Sequence, residues 1–250
     1  MRREYTTTAI TLKRARFAEA DNLVTLYTKD KGKVKARVAG AQRLKSKLHL
    51  EPLTLSRVQV YPGRTFNTII QKEILDSFTP LKENLWRISC GLYLTELVDK
   101  STLEGVENTP LFQLLSSSLS FLCVFPNEVI LRYFELHLLS YLGFHPELHR
   151  CVICSSSLKP QMNFFSPHQG GMVCPSCSTE QAYPLSMEGL KVLRFLERVN
   201  LDTALRLKLS PELSSEVEST LERYVGFVLQ RRLNLPQWLS RLKGEGIYSP

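Results

Sequence analysis

The residues best placed to do chemistry in this chain are four of its six cysteines. Cys151-Val-Ile-Cys154 and Cys174-Pro-Ser-Cys177 form two Cys-x-x-Cys knuckles with nineteen residues between them. A knuckle turns two thiolates toward one small ion, and two knuckles complete a tetrahedron at about 2.3 Å per Zn–S bond. The spacing falls in the range of four-cysteine zinc sites. Disulfides or free core thiols are the alternatives, and neither makes use of it. A catalytic zinc keeps one position open for water, and four thiolates leave none. The expectation is one structural Zn²⁺ per chain on Cys151, Cys154, Cys174 and Cys177, clamping a segment too small to fold on burial alone. Between the knuckles, residues 163–173 read as a short hairpin with Gly170 and Gly171 in its turn, the order of a zinc ribbon.

Other chemistry is sparse. The chain has no phosphate-cradling Gly-rich loop, no His-Glu-x-x-His helix and no nucleophile elbow. His145 and His149 precede the first knuckle and His168 lies inside the ribbon, so each is a candidate substitute ligand, but four thiolates already fill the sphere. His137 stands among leucines as a helix-face residue. Cys90 and Cys123 lie in apolar segments with no neighbouring histidine and read as buried structural thiols. The expectation is a protein that is not an enzyme.

The elements that must position these residues fall into two regimes. Residues 1–75 read as five short strands, at 6–12, 23–28, 33–39, 53–61 and 66–70, separated by turns at Lys29-Asp-Lys-Gly32 and Pro62-Gly63. Five strands in so short a stretch suggest a small barrel, either an OB-fold, which commonly binds single strands across one face, or an SH3-like barrel. From residue 79 the period becomes 3.6. Helices are expected from Thr79-Pro80 through Leu97 and from Thr109-Pro110 to 125, each threonine an N-cap before a proline, over 128–142, over 187–199 with Ser186 at its start, and from Ser210-Pro211 toward 233. No apolar run approaches the roughly 18 residues of a membrane helix, and the polar N-terminal residues do not resemble a secretory leader. Unpaired cysteine usage outside the knuckles suits a reducing, cytoplasmic compartment.

Charge is placed unevenly. Residues 1–79 hold 16 Lys+Arg against 7 Asp+Glu, a net of +9, although the whole chain carries only +8. Such asymmetry points to a polyanion, most often nucleic acid, with an acidic membrane or acidic protein as alternatives. In the third strand Lys33, Lys35 and Arg37 alternate with Val34, Ala36 and Val38, so the pleat should set three cations on one face. The loop after it adds Arg43, Lys45 and Lys47. A cation row beside a basic loop makes a track for phosphates; the plainer reading is a solvated edge that resists aggregation. Tyr5, Tyr27, Tyr61 and Phe66 are candidates for base stacking or for barrel core.

Three stretches together resemble the bacterial recombination-mediator family RecO: residues 19–28 followed by Lys31-Gly32, residues 38–46, and residues 134–148 running into Cys151-Val-Ile-Cys154 and later Gly170-Gly171 before Cys174. Two positions depart from the family pattern, Gln42 in place of an arginine and Ser155 in place of a glycine after the first knuckle. The residues themselves lay out an α+β multidomain protein, with a five-stranded barrel (1–79) and a helical bundle domain (80–147 and 182–250). The knuckles interrupt that run of helices as an inserted four-cysteine zinc ribbon (148–181), and the resemblance implies that the N-terminal barrel is an OB-fold. It implies binding of single- and double-stranded DNA, annealing of complementary strands, and assistance to RecA loading. The partners implied are RecR and the acidic C-terminal tail of single-strand-binding protein, in a cytoplasmic, nucleoid-associated setting. It carries over Lys31, Lys33, Arg43, Lys45 and Lys47 as DNA-binding residues; Lys35 and Arg37 rest on the strand alternation alone. A zinc-ribbon adaptor whose basic barrel meets an acidic protein is the competing expectation.

Overall fold

The computed structural model describes residues 3–17, 19–40, 48–231 and 233–245. Five strands, β1 (Tyr5–Arg16), β2 (Asn22–Thr28), β3 (Gly32–Val38), β4 (Leu55–Tyr61) and β5 (Asn67–Asp76), close into a barrel in the order β1-β2-β3-β5-β4. All neighbours are antiparallel except β3 and β5, which meet in parallel over Ala36↔Asn67 and Arg37↔Thr68. This OB-like order selects the first of the two barrels anticipated from strand count. Alternation fills the interior with Ala9, Val24, Leu26, Ala36, Val38, Val58, Val60 and Ile69, and Leu50 joins them from the segment before β4. A bulge between Thr11 and Lys13 lets β1 continue past the barrel core and carry Arg14 and Arg16 outward.

Eight helices follow among the described residues. The first three are α1 (Thr79–Lys82), α2 (Leu85–Ser101) and α3 (Thr109–Val124). Where one helix was expected from Thr79 to Leu97, Asn84 divides it: its side chain accepts the Arg87 amide at 3.0 Å and caps α2 afresh. Asn108, not Thr109, caps α3 in the same way, accepting from Leu111 at 3.0 Å. Then come α4 (Val129–Tyr141), α5 (Met187–Arg198), α6 (Leu201–Ala204), α7 (Pro211–Leu229) and α8 (Leu235–Gly244). Ser186 and Ser210 cap α5 and α7 as anticipated. The last helix was not anticipated. Its first amides, from Asn234 and Leu235, donate to the Glu96 carboxylate of α2 at 3.1–3.2 Å, a cap supplied from a residue far back in the chain. Among the described residues no helix is long and apolar enough to cross a membrane.

Contacts divide the chain into two compact units, Met1–Pro126 with Asn234–Pro250, and Asn127–Leu233. The first contains the barrel, α1–α3 and α8. The second contains α4–α7 and a small sheet of β6 (Asn163–Ser166), β7 (Gly171–Val173) and β8 (Tyr183–Leu185), ordered β7-β6-β8. The helical C-terminal region is thus shared between the two units. In the first, α2 buries Trp86, Cys90, Tyr93, Leu94, Leu97 and Val98. In the second, Gly171 belongs to β7 and not to the hairpin turn. The Glu147 backbone passes so close that a Cβ there would lie 2.5 Å from its carbonyl oxygen.

Candidate functional site: a four-cysteine centre and a basic barrel face

The knuckles are shaped by their backbones. Ser155 N–H donates to the Cys151 carbonyl at 2.8 Å, and Cys177 N–H to the Cys174 carbonyl at 3.0 Å, so each loop folds its two sulfurs to one side. Ser155 takes φ 59°, the left-handed conformation that favours glycine, which accounts for the glycine usual at this place in the resembled pattern. Cys151 N–H and Val152 N–H hydrogen-bond to Ser156 and Met172, fastening the first knuckle to β7.

None of the six cysteines is in a disulfide, and the Sγ atoms of Cys151, Cys154, Cys174 and Cys177 all lie within 4.8 Å of one another. The Cys154 and Cys174 sulfurs are 3.8 Å apart. A tetrahedron of bonds about 2.3 Å long requires sulfurs about 3.8 Å apart, whereas a disulfide requires about 2.05 Å. The Ser156 hydroxyl, followed by its backbone amide, holds the Cys154 thiol down at about 6. Hydrogen bonding to Cys174, then to Cys154, pushes Cys177 up to about 12. The donor set and spacing fit a metal ion.

The histidines serve elsewhere. His145 and His149 bracket one carboxylate, with Nε2 atoms 2.6 and 2.9 Å from the two oxygens of Glu197 on α5. His137 lies on α4 as expected, half-buried against Tyr133, its Nε2 3.1 Å from the Leu196 carbonyl; burial pushes its pKa down. His168 packs on Phe227. Cys90 is buried as expected, whereas Cys123 is only half-buried, and burial there raises its thiol.

On the barrel, the pleat places Lys33, Lys35 and Arg37 on one face, but that face is not open along its length. Lys33 is only 7% exposed. Its Nζ donates to the Asp99 backbone carbonyl at 2.5 Å and lies 3.5 Å from the Asp99 carboxylate, near the end of α2. Burial drives the Lys33 pKa down despite that partner. Burial also pushes the Asp99 carboxyl up, but the hydrogen bond and charge of Lys13, with Lys33 added, outweigh it and hold the acid below its usual value. Asp99 therefore serves two cations at once, and its charge works against the desolvation of Lys33. Lys33 is sealed under α2 where an open row was expected, because a helix tens of residues downstream covers that end of β3.

The next two cations are also answered. Lys35 Nζ is 2.5 Å from Glu104, and Arg37 Nε 2.6 Å from Asp21, which also accepts the Gly40 amide at 2.8 Å. Lys31 is exposed; Gln42, Arg43, Lys45 and Lys47 lie outside the described residues. Of the aromatic candidates, Tyr27 is core and packs on Phe112, Tyr5 packs against the barrel interior, and Tyr61 is exposed. Phe66 meets Phe17 edge-to-face at 5.1 Å, and Phe17 is 45% exposed. Phe17 was missed in the sequence reading. Its signal was the run Lys13-Arg14-Ala-Arg16-Phe17, three cations leading to an aromatic at the end of a strand.

These features define a class: an OB-like barrel followed by a helical region that carries a four-thiolate ribbon. Two family models match in that order, Recombination protein O N terminal over residues 1–78 and Recombination protein O C terminal over residues 82–236. The DNA repair protein RecO of Dehalococcoides mccartyi (strain CBDB1) is 33% identical over 244 residues, spanning 96% of this chain and 96% of its own. Its counterparts in Roseiflexus sp. (strain RS-1) and Syntrophomonas wolfei subsp. wolfei (strain DSM 2245B / Goettingen) are each 36% identical, over 92% and 94% of this chain and 82% and 95% of theirs. The chain belongs to the RecO family of DNA repair proteins.

Proposed function

We propose that the protein is a non-enzymatic recombination mediator that binds single- and double-stranded DNA through its barrel. In this role it anneals complementary strands and, with RecR, helps load RecA onto strands coated by single-strand-binding protein, whose acidic tail it also contacts. The observation that carries the reading is the +9 net charge of residues 1–79, the segment that builds the barrel in a family of DNA repair proteins. The contact is assigned to Lys31, Lys35 and Arg37 with the loop cations Arg43, Lys45 and Lys47. Lys33 holds the barrel to α2 instead. Phe17 and Phe66, beside the Arg37 end of the row, offer ring faces to bases. The ion on the four cysteines is Zn²⁺, in a structural role, and the ribbon at 148–181 is an insert in a helical domain. The setting is the bacterial cytoplasm, at the nucleoid.

The test is single-strand binding and annealing across a salt series. Affinity should fall with salt at a log–log slope of about −0.7 per phosphate neutralised. Reversal of Lys31, Lys35, Arg37 and Lys45 to Glu should abolish binding without unfolding the barrel. Binding that is absent at low salt, or unaltered by the reversal, overturns the reading. A pull-down repeated after nuclease treatment identifies any partner held by the acidic-protein route instead.

A further inference from the structure

The segment joining α2 to α3, residues 102–108, lies along the start of β3 as a strap. Lys33 and Glu104 form an isolated parallel bridge, and Gly105 N–H donates to the Lys33 carbonyl at 2.9 Å. Gly32, at φ 59°, leaves the room into which the Val106 carbonyl fits. At the far end Thr109 Oγ1 donates to the Lys29 carbonyl at 2.9 Å. These ties set Glu104 beside Lys35, with Oε1 2.5 Å from Nζ and the two side chains 51% and 43% exposed.

The acids that answer this cation row are not equivalent. Asp99 is mostly buried and shared with Lys13 and Lys33. Asp21 is buried and bound to the Gly40 amide as part of a turn. Glu104 alone reaches its lysine from an exposed side chain, so it can swing off without disturbing a backbone contact. A carboxylate on an exposed ammonium occupies the position a phosphate oxygen would take.

We propose that Glu104 is an intramolecular competitor for the nucleic-acid backbone at Lys35, a tethered counterion that a bound strand must displace. The inference rests on the DNA-binding reading and adds a regulation to it: the strap sets the affinity of the barrel face and lessens its dependence on salt. Exposed ion pairs are weak, so the strap tempers binding and does not block it.

The experiment is a cycle of wild type, Glu104→Gln, Lys35→Gln and the double variant, each titrated with a fluorescent oligothymidylate from low to moderate salt. Glu104→Gln should bind about two- to fivefold tighter, with a salt slope steeper by about 0.7. In the Lys35→Gln background the same change should gain little. Wild-type binding that is unaltered by Glu104→Gln overturns the inference while leaving the DNA reading standing. An equal gain with and without Lys35 also overturns it, since that is a general charge effect. No binding by wild type or by Glu104→Gln overturns both.

Discussion

Replacing Asp99 with asparagine should destabilise the barrel unit far more than removing either exposed cation near it. Lys33 Nζ sits 3.5 Å from the Asp99 carboxylate, with side chains only 8% and 12% exposed. At an effective dielectric of about 20, that separation is worth about 4.7 kcal/mol before desolvation. Stripping one member from a buried pair typically costs about 3–5 kcal/mol, because the remaining charge stays buried. Lys33 keeps the Asp99 backbone carbonyl at 2.5 Å, so the expected loss is lower, about 2–3 kcal/mol. Lys13→Gln, which removes a pair whose cation is 58% exposed, should cost less than about 1 kcal/mol. Lys33→Met with Asp99→Asn should recover to within about 1 kcal/mol of wild type, since no uncompensated charge is left inside.

Both tryptophans, Trp86 and Trp238, lie in the barrel-containing unit, so urea unfolding read by tryptophan fluorescence reports that unit specifically. The pH dependence has a definite sign on both sides. Asp99 is held below its ordinary 3.8, so its contribution is present above that value and is lost as pH falls through the folded-state pKa. The gap between wild type and Asp99→Asn is therefore full at neutral pH and closes in acid. Lys33 is held below its ordinary 10.5, and further below without Asp99. The variant regains stability as alkali neutralises the buried amine, so the gap narrows on that side too. Strictly additive losses in the double variant, or a single-variant cost below about 0.5 kcal/mol, would refute the argument.

Two further outcomes concern the other fixed points of the fold. Native-purified protein should contain about one Zn²⁺ per chain by elemental analysis, and Cys174→Ser should lose it and leave residues 148–181 open to protease while tryptophan fluorescence is unchanged; metal-free wild type with a protected ribbon contradicts this. Gly32→Ala should cost about 2 kcal/mol or more by urea unfolding, because φ is 59° and the new methyl would overlap the Val106 carbonyl; a cost under about 0.5 kcal/mol means the strap is not seated against β3.

What the sequence made legible was what neighbouring residues decide among themselves. Alternation located the five strands and the inward set of β3, and Ser186 and Ser210 marked two helix starts correctly because a cap is a bond to an amide three residues on. The metal ligands were readable for the same reason, each pair closing its own small loop. Caps failed where two candidates stood side by side: Asn108 took the role expected of Thr109. The start of α8 was invisible because its cap, Glu96, comes from another helix. Lys33 shows the limit most plainly. Its outward phase was right, but whether an outward side chain meets water or a helix is a tertiary fact, and periodicity holds none of it.

That limit changes what the charge asymmetry means. The net of +9 counts every cation in residues 1–79 as surface, yet two of the acids that answer them, Asp99 and Glu104, lie outside that segment. Lys33 is committed to holding α2 and the exposed Lys13 leans on the same acid, while Lys35 is engaged but exchangeable and Arg37 is paired with the buried Asp21. Arg16, Lys29, Lys31 and Arg64 are exposed and meet no carboxylate among the described residues. The long-range field that draws a polyanion in depends on the total charge, whereas the bound state depends on which pairs can be exchanged. The acids outside the segment leave most of the former intact and lower the latter. On the proposed function, a basic barrel arranged in this way would attract strands readily and grip each phosphate loosely, as annealing two strands and then releasing them requires.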